Sequence, residues 1–292
     1  MTATAAGTGV LITEPGLYGG VTAEQYHADP VPGRSLTSSG ARALLPPSCP
    51  ALFRHKQLHG QPPKDEWDFG HAAHRLVLGA GAGVVEIEAN DWRTNAAKAA
   101  KAEAHAAGLV PLLTKDLATV HEMADALRSH PEAAALLAPG TGDPEQVVVW
   151  QDEDTGVWCR AMFDWLRHRP PTGRRVLVDY KTCASAEPGD INKAVGNFGY
   201  HQQDGWYRDA VRWLDGTEPG FVFIFQERTA PYLVTVAELD PTARRIGAYR
   251  NHWARQTYAR CAAADDWPPY TTGIYEAHLT RWVEIEQGDG IV

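Results

Sequence analysis

No stretch of the chain approaches the roughly 18 consecutive apolar residues that a membrane-spanning helix requires. The opening MTATAAGTGV has no basic region ahead of an apolar run, so a cytoplasmic protein with no membrane partner is expected. Cysteine is scarce. The four present, Cys49, Cys159, Cys183 and Cys261, stand far apart with no C-x-x-C pair and no Cys/His spacing. That excludes a zinc or iron–sulfur site and reads as reduced, buried thiols. Positive charge is short as well: 27 Lys and Arg stand against 36 Asp and Glu, a formal net charge of −9. A protein that coats nucleic acid by overall charge is thereby excluded, while a local basic groove in an acidic body is not. Internal repeats and low-complexity linkers are missing too. One mixed α/β domain over residues 36–265 is the simplest reading, between an irregular Gly-, Pro- and Thr-rich segment, 1–35, and a C-terminal extension, 266–292.

What is present divides into a helical first half and a strand-rich second half. SLTSSGARALL places Ser and Thr caps before a short helix from about Ser38 to Leu45, stopped by Pro46 and Pro47. DEWDFGHAAHRLVLGAG carries Phe69, Ala73, Leu76 and Val77 at helical spacing and ends in glycine. The alanine-rich run from Thr94 to Ala107 and TKDLATVHEMADALRSH, with Thr114 as its cap, predict two more helices. From Glu145 the texture changes. EQVVVWQ, VWCRAMFDWL and RRVLVDYKT, separated by turn chemistry, predict an antiparallel meander. A helix over YHQQDGWYRDAVRWL, strands over FVFIFQE and YLVTVAEL, and a long helix from Pro241 to Ala264 follow. The ten tryptophans, among them Trp150, Trp158 and Trp165 on strands, are core or sheet-cover residues in this reading rather than base-stacking ones.

RRVLVDYKTCAS poses the sharpest problem, because a buried strand carries an aspartate and a lysine two residues apart. Alternation puts Asp179 and Lys181 on one face, with Val178 and Tyr180 on the other. On the preceding strand Asp164 ends a same-face series with Arg160 and Met162, and a meander sets it beside Asp179. Two carboxylates from adjacent strands can share one hard divalent cation, Mg²⁺ or Mn²⁺, which offsets the cost of burying them. An ammonium alongside can orient a water and offset charge on a phosphorane-like transition state. His74 lies one helical turn after Gly70, which leaves room for a metal or phosphate, whereas His71 takes a different angular position and is a bystander. Gln203 and Tyr207, at i and i+4, share a helix face that reaches back over the sheet. Glu145 opens the first strand and either faces the metals or ends a solvated strand. Arg160, on the Asp164 face by parity, is expected to contact DNA.

The pattern CRAMFDWL…VLVDYKT…YHQQDGWY resembles the PD-(D/E)xK nuclease superfamily, and more narrowly its RecE-type exonucleases (exonuclease VIII) of phage recombination. YGGVTAEQYHADP, SLTSSGARALL, FGHAAHRLVL and EQVVVWQDEDTGVWCRAMFDWL extend the likeness over most of Gly16 to Leu239. The Pro-Asp of the superfamily name is absent, since Phe163 precedes Asp164, and Asp179 stands where Glu is common. The resemblance implies a restriction-endonuclease-like core: a central mixed sheet with an antiparallel meander, flanked by helices. It implies metal ligands at His74, Asp164, Asp179 and the carbonyl of Tyr180, and catalytic roles for Asp164, Asp179, Lys181 and Gln203, with Tyr207 touching DNA.

The activity it implies is Mg²⁺- or Mn²⁺-dependent digestion of double-stranded DNA from its ends, 5′ to 3′, without an iron–sulfur cluster. Its implied partners are the DNA ends, a RecT-like single-strand annealing protein, and further copies of the chain in a homo-oligomeric ring. Two alternatives stay open. One is a relative resembling RecB-type or CRISPR-adaptation nucleases, with endonuclease activity or another polarity. The other is an inactive DNA-end-binding scaffold.

Overall fold

The computed structural model describes residues 10–60 and 66–288. The chain opens with a short strand, β1 (Gly16–Tyr18), and three helices, α1 (Ala23–His27), α2 (Ser38–Leu44) and α3 (Pro50–His59). Then come α4 (Glu66–Leu78), β2 (Val84–Ile87), α5 (Asn95–Ala106), β3 (Val110–Leu113), α6 (Thr114–Ser129) and α7 (Pro131–Leu136). The strand-rich half holds β4 (Gly142–Gln151), β5 (Trp158–Arg167), β6 (Val176–Cys183), α8 (Pro188–Phe198), α9 (Tyr200–Asp215), β7 (Gly220–Glu227) and β8 (Val234–Ala237). Helices α10 (Pro241–Ala264) and α11 (Arg281–Gln287) close the chain. Among the described residues no helix is long and apolar enough to cross a membrane.

Six strands form the central sheet in the order β1-β4-β5-β6-β7-β8, and a parallel β2–β3 pair stands apart. Every pairing in the central sheet is antiparallel except β6–β7. A parallel neighbour demands a crossover, and α8 and α9 supply it. The expected mixed sheet with an antiparallel meander is therefore the observed one.

Each sheet face has its own core. Leu177, Phe221, Phe223 and Phe225 pack with Trp206, Ala210, Ala254 and Tyr258, the side covered by α9 and α10. Val178, Tyr180 and Ile224 pack with Ala72, Ala73, Val120 and Met123, the side covered by α4 and α6. A third, smaller core joins Ile12, Val21, Tyr26 and Val31 to Val147 and Val149.

Several local expectations change. The N-terminal segment expected to be irregular supplies β1 and α1, because Ile12, Val21 and Tyr26 are buried against β4; its first nine residues lie outside the described ones. Thr114 is inside the first turn of α6 rather than its cap, and Leu113 precedes the helix with no side-chain cap bond. The β2–β3 pair and helices α3, α7, α8 and α11 were not anticipated.

Candidate active site at the fork between β5 and β6

Strands β5 and β6 pair over only two positions, Trp165 with Val178 and Leu166 with Leu177. Beyond them the strands part at Asp164 and Asp179. The cause is visible one strand away. The β4–β5 register omits the pair Glu145–Asp164, and Glu145 has φ +48°, a left-handed backbone that interrupts regular pairing. Phe163 packs in the α9-side core and Trp165 in the α4-side core, so strict alternation breaks at Asp164. Asp164 does not simply continue the Arg160–Met162 face, as expected; it turns into the gap.

There Asp164 takes the place of a strand partner. Its Oδ2 accepts a 2.9 Å hydrogen bond from the backbone N–H of Tyr180. His74 approaches the same oxygen with Nδ1 at 3.6 Å, and its ring meets Tyr180 edge-on with centroids 5.2 Å apart. The imidazole also bonds to the Tyr180 backbone. The phenol of Tyr180 donates to Gln226 Oε1 at 2.7 Å, and Gln226 in turn donates to the Met123 carbonyl, which anchors this strand end in the α6 layer.

Asp179 and Lys181 share the face that alternation predicts. The ammonium touches Asp179 Oδ2 at 2.5 Å. Gln203, from α9, donates to Asp179 Oδ1 at 2.6 Å, and Tyr207 one turn later is hydrogen-bonded to Gln203. Lys181 also lies over the ring of Tyr200, 5.4 Å from its centroid.

The electrostatics follow from burial. It raises the Asp179 carboxyl to about 6, against the opposing pull of Lys181 and with a further push from Asp164. Burial raises Asp164 as well, partly offset by Lys181 and by the Tyr180 amide. Burial alone would lower Lys181, but Asp179 and Asp164 reverse the direction and keep it an ammonium. His74 is pushed down to about 4 by burial first and by Lys181 second, so it is neutral near pH 7. Glu145, half-buried, is raised by burial and then by Asp164, against the pull of Arg75; it is the fourth residue of β4 rather than its opening one.

The donor set fits a hard cation. Asp179 Oδ2 is buried, and its close contact is the Lys181 ammonium. Carboxylates of Asp164 and Asp179 with the Tyr180 carbonyl supply the oxygen ligands that Mg²⁺ or Mn²⁺ prefers. Among the described residues, however, no three His, Cys, Asp or Glu side chains form a cage by themselves. The expected trio His74, Asp164 and Asp179 is thus not preassembled as a cage: Gln203 donates to Asp179 Oδ1, the Lys181 ammonium stands against Oδ2, and His74 stays 3.6 Å from Asp164.

Arg160 is a correction. It is 6% exposed, and its Nε and Nη1 donors are used inside the protein. Nε bonds the Tyr26 carbonyl at 3.1 Å, and Nη1 meets Ser35 Oγ at 2.6 Å and Asp29 Oδ1 at 2.8 Å. It clamps the N-terminal segment to β5 instead of presenting an open guanidinium to solvent. Parity put it on the Asp164 face, but the break in alternation at Asp164 separates the two, and the segment around Asp29 covers Arg160. Tyr207 is partly buried, its ring against Phe163 and Phe221. It positions Gln203 and also lines a cavity beside the site. Tyr200 was missed, although it stands three residues before Gln203 on one helix face, a spacing that flags it. His71, read as a bystander, lies within electrostatic reach of both His27 and His74.

Comparison with known proteins agrees with this architecture. The model of a family described as a PDDEXK-like domain of unknown function (DUF3799) matches residues 57–277. Among solved structures, a putative exonuclease from Eubacterium rectale superimposes with a TM-score of 0.60 at 10% identity, over 92% of this chain and 97% of that one. At that identity the likeness is one of fold. No curated protein matches the chain.

Proposed function

The chain belongs to the PDDEXK-like family (DUF3799), and from that premise we propose that it is a divalent-metal-dependent deoxyribonuclease acting on the ends of linear duplex DNA. The observation that carries the reading is the buried Asp179 carboxylate paired at 2.5 Å with the partly buried Lys181 ammonium, beside Asp164 where the sheet forks. Ordinary folding gives little reason to bury such a pair, because desolvation offsets most of the attraction. Mg²⁺ or Mn²⁺ held by Asp164, Asp179 and the Tyr180 carbonyl would supply Lewis acidity toward a phosphodiester.

The remaining chemistry belongs to the chain. Lys181, kept protonated by its two carboxylates, places positive charge and N–H donors where negative charge builds on the phosphorus oxygens. Gln203, braced by Tyr207, fixes the Asp179 carboxylate in one rotamer. Neutral His74 holds the Tyr180 backbone and Asp164 in register across the gap. Digestion from 5′ to 3′, a homo-oligomeric ring around the duplex, and delivery of the resulting single strand to a RecT-like annealing protein extend the proposal, motivated by the RecE-type likeness of the motifs.

The test is incubation of linear and covalently closed duplex DNA with Mg²⁺, Mn²⁺ or chelator. Loss of linear DNA alone, in metal alone, is the expected result. Cutting of closed circles would make the protein an endonuclease, and binding without cleavage in either metal would make it a scaffold. Lys181→Ala should lower hydrolysis by about a hundred- to ten-thousand-fold while DNA binding in chelator persists. Parental turnover in that variant would remove the site from the reaction.

A further inference from the structure

Beside the fork lies a cavity of about 240 Å³ that shares Gln203 with the site. One wall carries Thr37, Ser38 and Ser39, short side chains that leave room for a sugar and a base. The other is aromatic. Phe198 at the end of α8 is 57% exposed, and its ring lies 5.7 Å from that of Tyr200, the ring under the Lys181 ammonium. Tyr200 continues inward to Phe223 and Phe225, with centroids at 5.6 and 5.8 Å. A file of rings thus runs from the core, past the proposed catalytic amine, to a solvent-facing Phe.

The backbone holds Phe198 outward. Gly199 has φ +72° between α8 and α9, and a Cβ there would meet Arg42 Cδ at 2.6 Å. The Arg42 guanidinium bonds the Phe198 carbonyl. An isolated exposed Phe needs no explanation, but this one is fixed at the rim of a largely apolar cavity that is also lined by Gln203, whose amide donates to Asp179.

We propose that Phe198, backed by Tyr200, stacks an unpaired base of the nucleotide next to the phosphodiester held at Asp164, Asp179 and Lys181. The inference rests on the nuclease reading of that site and deepens it. The strand entering the site is single there, so a duplex must be frayed or tailed to be cut. An aromatic face accepts any base, which suits an enzyme without sequence preference.

The experiment is equilibrium binding of single-stranded oligonucleotides in chelator, with one abasic residue walked along the first few positions from either end. In the parent, one position should weaken binding by about tenfold when abasic. Phe198→Ala should bind the intact strand about tenfold less tightly and lose that positional penalty, whereas Phe198→Tyr and Phe198→Trp should keep it. The ring is exposed, so truncation spares the cores, and circular dichroism checks the fold. A parent indifferent to every abasic position, or Phe198→Ala with the parental profile, overturns the stacking role even if DNA is hydrolysed. A parent that shows the penalty yet cleaves nothing in Mg²⁺ or Mn²⁺ overturns the nuclease reading and leaves Phe198 as a binding residue. No binding to any strand overturns both.

Discussion

Desolvation shifts both His74 and Asp179, with opposite consequences for stability. The imidazole titrates at about 4 in the fold against 6.5 for the free group. As pH falls from 6.5 through 4, the unfolded chain takes up a proton that the folded one refuses, and stability is lost. Asp179 titrates at about 6 in the fold against 3.8. As pH falls from 6 through 3.8, the folded chain takes up the proton first, and stability is gained. In chelator the two contributions oppose each other. His74→Ala should therefore become more stable relative to the parent on acidification over this window, and Asp179→Asn less stable, as read by urea denaturation; the reverse order would contradict the assigned environments. Arg160 gives a second residue-scale test. Arg160→Ala leaves Asp29 buried without its cation and should cost roughly 3–5 kcal/mol, whereas a DNA-contacting arginine would leave the urea midpoint unchanged. The D-x-K spacing made Asp179 and Lys181 legible as one face, since period two follows from strand geometry alone. Depth was not legible for Arg160, because its cover comes from Tyr26, Asp29 and Ser35, more than a hundred residues earlier.

Helices α9 and α10 cross closely enough to exclude any side chain at Gly247, where a Cβ would fall 1.8 Å from the His201 carbonyl oxygen. Asn251 bonds the Gln202 carbonyl at 2.8 Å across the same crossing. Gly247→Ala should force the helices apart at a cost of about 1–3 kcal/mol. Because Gln203 sits one residue beyond Gln202, hydrolysis should fall more steeply than stability at temperatures where the fold persists. A variant with lowered stability and full activity would detach Gln203 from the mechanism. Both helices were legible in the sequence: α10 runs from Pro241 to Ala264 as the pattern predicts, with Asp240 capping its start. Strands β2 and β3 were not, because four residues carry too little alternation to distinguish from a helix flank. Helix α8 was hidden by Pro188, Gly189 and Gly196, which read as loop chemistry although Pro188 is at its first turn.

At the scale of the whole molecule, the antiparallel meander was legible because its three strands follow one another with turn residues between. The parallel β6–β7 neighbour was not, since α8 and α9 intervene and no local pattern reports which strand a returning chain joins. The resulting sheet consists of two ladders, β1-β4-β5 and β6-β7-β8, tied by two residue pairs at Trp165 and Leu166. That tie has the fewest paired residues of any seam in the sheet, and the acids proposed to hold the cation lie on its two lips. An ion gripping both would act as a stitch, coupling occupancy to the unfolding temperature. Thermal denaturation of the parent should therefore shift upward with Mn²⁺, and Asp164→Asn or Asp179→Asn should flatten the response. Since the Tyr180 amide is capped by Asp164 rather than by a backbone carbonyl of β5, its deuterium uptake would report, from inside the seam, whether the stitch is in place.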